Sequence, residues 1–235
     1  MSFLLTKRLA RSLWRTKIRL GAVIFMIVIG VLGGVSMGGY ATNVAILYDI
    51  IYEDNEDGVN LPDIWVNLPG GTWSGEESQN LCDNFEEDFP VESPSIDKCE
   101  PRLVVDGTLF HIDKSGKESL VTAVWHGIDE GEVDKVWIPH HDCCDGRNAQ
   151  NSTEIVIDAH AAEDLDISVG SSVSIGVGEG RMNFTVVGLG YHSNHFWFAP
   201  EGSLFPAEAG TYVTGYLTSN GLEKVANLSS GSSNK

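Results

Sequence analysis

TEIVIDAHAAEDLDISVGSSVSIGVGEGRMNFTVVGLGYH, residues 153–192, predicts three strands and one short helix in succession. Runs rich in β-branched residues indicate strands at 154–157, 172–177 and 182–191. The alanine-rich run 159–165 between the first two strands is typical of a helix. GEGR supplies glycines for a tight turn between the last two strands, so this segment is expected to form a β-rich block carrying one helix.

The flanking segments add a hairpin, a further strand on each side and a helix. RLVVDGTLFHI and KESLVTAVWHGI, residues 102–112 and 117–128, alternate apolar and polar residues around the turn DKSG, which predicts a β-hairpin. VDKVWIP, residues 133–139, is expected to add a short strand. After the block, residues 212–218 predict a strand and residues 219–228 the start of a helix.

A strand and an amphipathic helix are predicted before the hairpin. PDIWVNL, residues 62–68, is typical of a short buried strand closed by the turn PGG. Ser74 and Glu77 form the S-x-x-E pattern of a capping box, in which each side chain hydrogen-bonds the backbone N–H of the other residue. The apolar face of the helix that follows is formed by Leu81, Cys82, Phe85 and Phe89.

An apolar run near the N-terminus predicts a membrane-spanning helix. Between Arg19 and Asp49 stand 29 uncharged residues, and LGAVIFMIVIGVLGGVSM, residues 20–37, is apolar apart from Ser36. About 20 apolar residues span the ~30 Å hydrocarbon core of a bilayer. Residues 44–52 continue the helical pattern, which predicts a stalk beyond the membrane.

The charges around this run predict its orientation. Six of the 15 basic residues lie in the first 19 positions, whereas all 33 acidic residues follow residue 48. Basic flanks stay in the cytoplasm, so the chain is expected in the cytoplasmic membrane with its acidic main domain outside. A cleaved signal peptide is the alternative, although the apolar region of such peptides is usually only about 7 to 15 residues long.

Composition and missing motifs disfavour several function classes. The net charge of −18 should repel nucleic acid, so no nucleic-acid partner is expected. The sequence contains neither G-x-x-x-x-G-K-[ST], which cradles nucleotide phosphates, nor the G-x-S-x-G nucleophile elbow of hydrolases. We therefore expect no enzymatic activity, no catalytic residues and no cofactor in this chain.

The four cysteines are disulfide candidates, because all of them fall in the domain expected outside the cytoplasm, where disulfides persist. Cys82 lies on the inward face of the predicted helix and Cys99 just before the next strand, so a bridge between them is favoured. Cys143 and Cys144 would then form a vicinal disulfide or stay thiols, and crossed pairings with Cys82 and Cys99 remain open.

Two groups of histidines raise the question of a ligand or metal site. His140, His141, Asp142, Cys143 and Cys144 are adjacent in the sequence, whereas structural zinc sites separate their ligands so that the side chains converge. No metal site is therefore expected there. His192 and His195 stand near three aromatic residues, and with His160 they suit either a ligand pocket or a connection packed by aromatic rings.

The order of these elements predicts an α+β protein with a β-rich subdomain nested between βαβ-type portions. The final helix has no strand after it, so the second portion lacks an element. The chain is divided into a basic amphipathic leader at 1–19, a transmembrane helix and stalk at 20–52, a first βαβ-type portion at 60–110, a β-rich inserted subdomain at 111–190, a second, incomplete βαβ-type portion at 191–228 and a disordered tail at 229–235.

Several of these segments, in this order, resemble the FtsX/MacB-like family of ABC transporter permeases. LYDIIYEDNEDGVNLPDIWV is similar to the stalk and first extracytoplasmic strand of that family, and EPRLVVDGTLF to a strand in which an arginine precedes aliphatic residues. GRNAQNSTEIVIDAHAAEDLDISVGSSVSI resembles its Gly-Arg turn, strand, helix and strand, with Gly146 and Arg147 at the turn and Val169 and Gly170 before the last strand. FTVVGLGYHSNHFWFAPEGSLFP resembles the return strand and the connection after it.

The resemblance implies a fold, a mechanism and partners. The main domain would be a porter-like extracytoplasmic domain that receives motion from a separate cytoplasmic ABC ATPase through the membrane helix. The family places three more membrane helices after this domain, so the chain would need a second permease copy or those missing helices, along with membrane lipid. The leader would lie along the inner membrane surface and couple to the ATPase, or only anchor the topology. The coupling candidates are Arg8, Arg11, Trp14 and Arg15.

Three functions compete at this point. The leading one is a permease subunit, or the N-terminal part of a permease, for export, lipoprotein release or regulation of the cell envelope. The second is a single-pass cell-surface binding protein with no ATPase partner. The third is a secreted metal-dependent enzyme, which the sequence supports least.

Overall fold

The computed structural model describes a long apolar helix and most of the domain that follows it in the chain. The described residues are 7, 17–52, 62, 64–88, 98–112, 116–132, 134–138, 144–195, 198–200, 203 and 205–235. The chain divides into two compact units, Met1–Glu53 and Asp54–Lys235. We call the second unit the barrel domain.

Helix α1 (Lys17–Tyr52) forms the first unit and contains 36 residues. Its part Gly21–Ile46 has a mean hydropathy of 2.2, and its side chains are exposed. No charged residue interrupts that part, and by length and composition this helix can cross a membrane. The expectation of one continuous helix through residues 20–52 is confirmed.

Helix α2 (Gly75–Asp88) begins with the predicted capping box. Glu77 Oε2 accepts hydrogen bonds from the backbone N–H of Ser74 at 2.9 Å and from the Ser74 hydroxyl at 2.8 Å. In return, the backbone N–H of Glu77 donates to Ser74 Oγ at 3.4 Å. Cys82 is buried on the inner side of this helix.

Six strands of the barrel domain close into one barrel. They are β1 (Val104–Ile112), β2 (Glu118–Gly127), β3 (Glu154–Asp158), β4 (Ser172–Val177), β5 (Gly180–Gly190) and β6 (Tyr212–Leu217). Their order around the barrel is β1-β2-β6-β3-β5-β4, and β1 closes it by pairing with β4. The pairs β2/β6 and β3/β5 are parallel and the other four pairs are antiparallel. The predicted hairpin is the pair β1/β2, and the strands predicted within residues 153–192 are confirmed.

The barrel interior is packed around Trp125, which is fully buried. Trp125 lies on β2, and two glycines on the strands to either side, β1 and β6, make room for its ring. A Cβ added at Gly107 would lie 2.3 Å from Trp125 Nε1, and one at Gly215 would lie 2.7 Å from Trp125 Cζ3. Any larger residue at either position would collide with the indole.

Two short helices, both confirmed, flank the barrel strands. Helix α3 (Ala159–Leu165) is capped by Asp158, whose carboxylate accepts from the backbone N–H of His160. Helix α4 (Ser219–Ala226) is capped by Thr218. Apolar residues of both helices belong to the same core cluster as the barrel interior.

Two predicted strands are wrong in the described residues. Within residues 62–68 no strand forms, because Ile64 and Val66 are exposed and only Leu68 makes a backbone hydrogen bond outside the segment, to Asn234. Within residues 133–139 the backbone makes only an isolated bridge between Trp137 and Tyr191. Apolar composition was present in both segments, but a partner strand was not.

The predicted disordered tail at 229–235 is also wrong. Ser232 and Ser233 are buried, and Ser233 exchanges two backbone hydrogen bonds with Trp73. Asn234 holds Val104 through both ends of its side-chain amide, at 2.9 and 2.6 Å. Polar composition suggested a structureless segment, yet these residues are fixed through main-chain and amide hydrogen bonds.

The coarse fold class, an N-terminal apolar helix with an α+β domain, agrees with the structure. The barrel, however, crosses the boundaries predicted at 110 and 190, since β1 and β6 pair with strands between those positions. The division into βαβ-type portions and a nested subdomain therefore stays a prediction that these strand pairings do not support.

Candidate functional site

Buried polar side chains gather on the outer face of the barrel, where β2, β6 and β3 lie side by side. Successive residues of a strand point to opposite faces. Val213 and Leu217 pack in the barrel interior, whereas Tyr212 and Tyr216 pack in clusters outside it. The outer layer contains the buried residues His126, Asp134, Asp158, His192, Thr214 and Tyr216 and the partly buried His195, and we call it the histidine layer.

Three histidines form the centre of this layer. His126 Nε2 lies 3.2 Å from Nε2 of His195, which ends the 3-10 helix Ser193–His195. The ring of His192 stacks on Tyr216 with 5.3 Å between centroids. A single proton shared between His126 and His195 satisfies both nitrogens, so at least one of these two imidazoles must be unprotonated at Nε2.

Burial keeps the imidazoles of His126 and His195 neutral. The pKa of His126 is held well below its usual value, mainly by burial and then by the charges that His195 and His192 would carry. Burial, followed by the effect of His192, lowers the pKa of His195 to about 4. His126 and His195 are therefore expected to be neutral at pH 7.

We expect the free energy of unfolding to fall as the pH is lowered from about 6.5 towards about 4. Over this window the unfolded chain protonates His195 and the native state does not, so the unfolded state binds more protons. His195→Gln should reduce the slope of unfolding free energy against pH by up to about one proton there. Urea unfolding of the full chain in detergent at a series of pH values measures the slope.

His160→Gln is the matched control for that measurement. The hydrogen bond that His160 Nδ1 donates to Asp158 raises the pKa of His160 above its ordinary value, so His195→Gln and His160→Gln should differ in the lower window, where His160→Gln should keep the slope. An unchanged slope in His195→Gln would contradict the low pKa assigned to His195.

An ionic network lies against the histidine layer. Arg102, with only 2% of its side chain exposed, donates from Nη1 to Asp134 Oδ2 at 2.6 Å and from Nη2 to Glu132 Oε2 at 2.8 Å. His192 Nε2 is 3.0 Å from Asp134 Oδ1, within ion-pair distance but without good hydrogen-bond geometry. Burial raises the pKa of Glu132 to about 7, against the opposing effect of Arg102.

The layer contains most of the buried polar atoms that lack a hydrogen-bond partner within the described part of the chain. One such atom, Trp125 Nε1, lies inside the barrel. The others are Asp134 Oδ1, Asp158 Oδ2, His192 Nε2, Thr214 Oγ1 and Tyr216 Oη. Buried polar groups are normally paired with protein, water or ligand, so their concentration in one layer marks this face as the candidate site.

A cavity of about 340 Å³ lies beside the layer. Its apolar wall is formed by Ile128, Val136, Ala149 and Val156, and its polar side includes Asp134 and Tyr216. The phenol of Tyr216 is buried, and burial together with the charge of Asp158 raises its pKa well above the usual value. The phenol is therefore a neutral, buried hydroxyl at pH 7.

The sequence singled out part of this layer without assigning it a role. His192 and His195, weighed as a ligand pocket or an aromatic connection, both belong to the layer. His160 packs on Tyr191 and Phe198 and contacts the layer through its hydrogen bond to Asp158. His126, Asp134 and Tyr216 were missed. The alternation of β2 gives a signal for His126, because it has the same parity as the outward Val124.

The disulfide prediction is confirmed for one pair of cysteines, and the other pair is only partly described by the structure. Cys82 and Cys99 are bonded, which makes the crossed pairings wrong. Cys144 is buried, whereas Cys143 lies outside the described residues, so the vicinal alternative is not described.

Other predicted residues also lie outside the described part of the chain. These are the coupling candidates Arg8, Arg11, Trp14 and Arg15, and the residues His140, His141 and Asp142 of the histidine-rich loop. Among the residues that the structure describes, no group of three metal-ligating side chains converges.

Neither the known protein families nor the curated proteins provide a relative of this chain. No family model matches this chain, and no curated protein matches it. The resemblance to FtsX/MacB-like permeases therefore depends on the order of its motifs alone.

Proposed function

We propose that this chain is a membrane-anchored permease subunit of an FtsX/MacB-like ABC transporter. In this proposal a separate cytoplasmic ATPase drives the subunit, and a porter-like extracytoplasmic domain receives the motion for export, lipoprotein release or regulation of the cell envelope. The partners would be that ATPase, membrane lipid and a second permease copy or further membrane helices.

The observation that supports this proposal most is the length of helix α1. At about 1.5 Å per residue its 36 residues measure roughly 54 Å, whereas the hydrocarbon core needs only ~30 Å. A simple anchor does not need the surplus. A helix that transmits motion from one side of a membrane to the other does.

The distribution of charge and the disulfide support the proposed orientation. The leader carries six basic residues and no acid, which favours a cytoplasmic N-terminus. The Cys82–Cys99 bond is stable outside the cytoplasm, which favours the barrel domain on the other side.

We expect labelling of intact cells to find the barrel domain outside the cytoplasm. We also expect purification of the chain to recover an ATPase bound to it. A Glu179→Cys chain in a Cys143→Ser background places a thiol in the exposed turn after β4. A membrane-impermeant maleimide should label it, whereas Ser2→Cys in the same background should stay unlabelled. Detergent purification of the labelled chain should then recover an ABC ATPase subunit.

A leader variant separates coupling from anchoring. Trp14→Ala combined with Arg15→Ala should keep the labelling pattern but lose the ATPase, while Thr16→Ala on the same leader should keep both. Absence of an ATPase with the unchanged chain would overturn the permease proposal.

A second function, a single-pass cell-surface binding protein without an ATPase, is favoured by the cavity beside the histidine layer. External labelling of Glu179→Cys with no ATPase recovered is the outcome that this second function expects.

A further inference from the structure

We propose that Asp145 and Gly146 form a self-modifying site, at which the aspartate rearranges spontaneously to isoaspartate in the folded protein. The reaction needs only water as a co-reactant. The inference is independent of the functions proposed above, because it concerns one exposed segment of the barrel domain. It is carried by a side-chain contact, by the backbone setting of the glycine and by comparison with a second aspartate–glycine pair.

The carboxylate of Asp145 is held against the backbone nitrogen of the next residue. The N–H of Gly146 donates to Asp145 Oδ1 at 2.7 Å, and Cγ is bonded directly to that oxygen. Asp145 is exposed, so water reaches the site. Reactions within a fold are fastest where the reacting atoms are already held about 3–3.5 Å apart. The contact therefore presents Cγ to the nitrogen that attacks it.

The nitrogen of Gly146 takes no part in the strand pairing around it. Gly146 faces β5 in an isolated antiparallel bridge. One bond of the bridge runs from Arg147 N–H to Val187 O at 2.9 Å, and the other runs from Leu189 N–H to Asp145 O at 2.8 Å. The N–H of Gly146 turns to the side chain of Asp145, and the glycine has no side chain to shield its nitrogen.

The rearrangement balances with water as the only molecule lost and gained. The nitrogen of Gly146 attacks Cγ of Asp145, and the hydroxyl of the protonated carboxyl leaves with the amide proton as water, which closes a succinimide ring. Water then opens the ring. Opening at the main-chain carbonyl breaks the original C–N peptide bond and leaves the chain linked through Cγ as isoaspartate, whereas opening at Cγ restores aspartate.

Isoaspartate lengthens the main chain at a position with no space for it. Gly146 has a φ of +91°, and a Cβ added there would lie 2.1 Å from Val187 O. The lengthened chain must therefore move away from β5. The bridge bonds donated by Arg147 and Leu189 should open, so conversion loosens this segment from the barrel.

A second aspartate–glycine pair serves as the internal control. Asp106 is also exposed, but Gly107 lies inside the ladder of β1 and β2, opposite Ala123. Side chains of a strand stand roughly perpendicular to the sheet, whereas its N–H groups lie in the plane of the sheet, so the Asp106 carboxylate is kept away from this nitrogen. A third pair, Asp57 and Gly58, lies outside the described residues.

The test follows both aspartates by peptide mapping. The full chain in detergent is incubated at neutral pH in water enriched in heavy oxygen, folded in one sample and unfolded in guanidinium chloride in the other. Chromatography separates isoaspartyl from aspartyl peptides, and mass spectrometry detects the heavy oxygen that each succinimide hydrolysis adds. We expect Asp145 to convert at least about tenfold faster than Asp106 in the folded chain. In the unfolded chain the two rates should agree within about twofold, because the fold no longer distinguishes the two pairs.

Two variants test the chemistry at the contact. Asp145→Asn keeps an oxygen that can accept from Gly146 N–H and releases ammonia in place of water, so it should form isoaspartate faster than the unchanged chain. Asp145→Glu keeps the charge but would have to close a larger ring, so it should gain no heavy oxygen over the same period. Amide hydrogen exchange at Arg147 and Leu189 should increase in the converted fraction alone.

Three results would overturn the proposal. They are no isoaspartate at Asp145 in the folded chain, equal conversion of Asp145 and Asp106 in the folded chain, and as much heavy oxygen in Asp145→Glu as in the unchanged chain. The unfolding midpoint of each variant checks that it is folded, and the comparison of the two aspartates within the unchanged chain needs no variant at all.

Discussion

Arg102→Met should destabilise the barrel domain by about 3–5 kcal/mol, the largest effect that we expect from a single substitution. The guanidinium is buried and holds Asp134, itself 2% exposed, at 2.6 Å. Removing the arginine leaves the Asp134 carboxylate buried without its guanidinium partner. His192 Nε2, 3.0 Å from Asp134 Oδ1, stays beside it. Urea unfolding of the full chain in detergent measures the loss.

Two variants test the assignment of this effect to the buried charge. Arg102→Met combined with Asp134→Asn removes both charges and should recover a large part of the lost stability. Lys98→Met removes a half-exposed lysine paired with Glu100 and should change stability by less than about 1 kcal/mol. If Arg102→Met costs no more than Lys98→Met, the network does not stabilise this fold.

Loss of the Cys82–Cys99 bond should cost roughly 3 kcal/mol. The two cysteines are 17 residues apart, and the bond limits the freedom of that loop in the unfolded chain. Cys82→Ser combined with Cys99→Ser should lower the urea midpoint, and the unchanged chain in reductant should reach the same midpoint.

The double variant also provides the control for the reductant. Its stability should not respond to reductant, because its remaining cysteines contribute no described disulfide. A further loss on reduction would show that another disulfide stabilises the domain and would contradict this account.

Local pattern was sufficient to predict most elements of this protein. The capping box at Ser74 and Glu77 and the uncharged run of α1 appear in the structure as expected. In each case the residues that determine the element lie within a few positions of one another. The Cys82–Cys99 pair could also be predicted, because Cys82 lies within a helix and Cys99 shortly before a strand that were both predicted from sequence.

Long-range pairing could not be read from the sequence. Nothing in residues 212–217 states that β6 lies between β2 and β3, or that it runs parallel to β2. The error at 62–68 has the same origin, since a strand needs a partner as well as apolar residues. Residues 229–235, six polar residues and one glycine, were misread because their backbone hydrogen bonds leave no trace in composition.

The candidate site was only partly predictable for a related reason. His126, Asp134, His192 and Tyr216 come from four separate segments, and the barrel brings them together. Residues 192 and 195 attracted attention because they are neighbours in the sequence. Their partners could be assigned only after the strand order was known.

The position of β6 has a consequence for biosynthesis. Of the six barrel strands it is the last to be made, yet it fills the space between β2 and β3. Until the ribosome has released residue 217, both neighbours present unpaired edges that can associate with other chains. A newly made barrel is therefore open to association with other chains until β6 has been made, and truncation inside β6 should lead to aggregation rather than to a smaller stable domain.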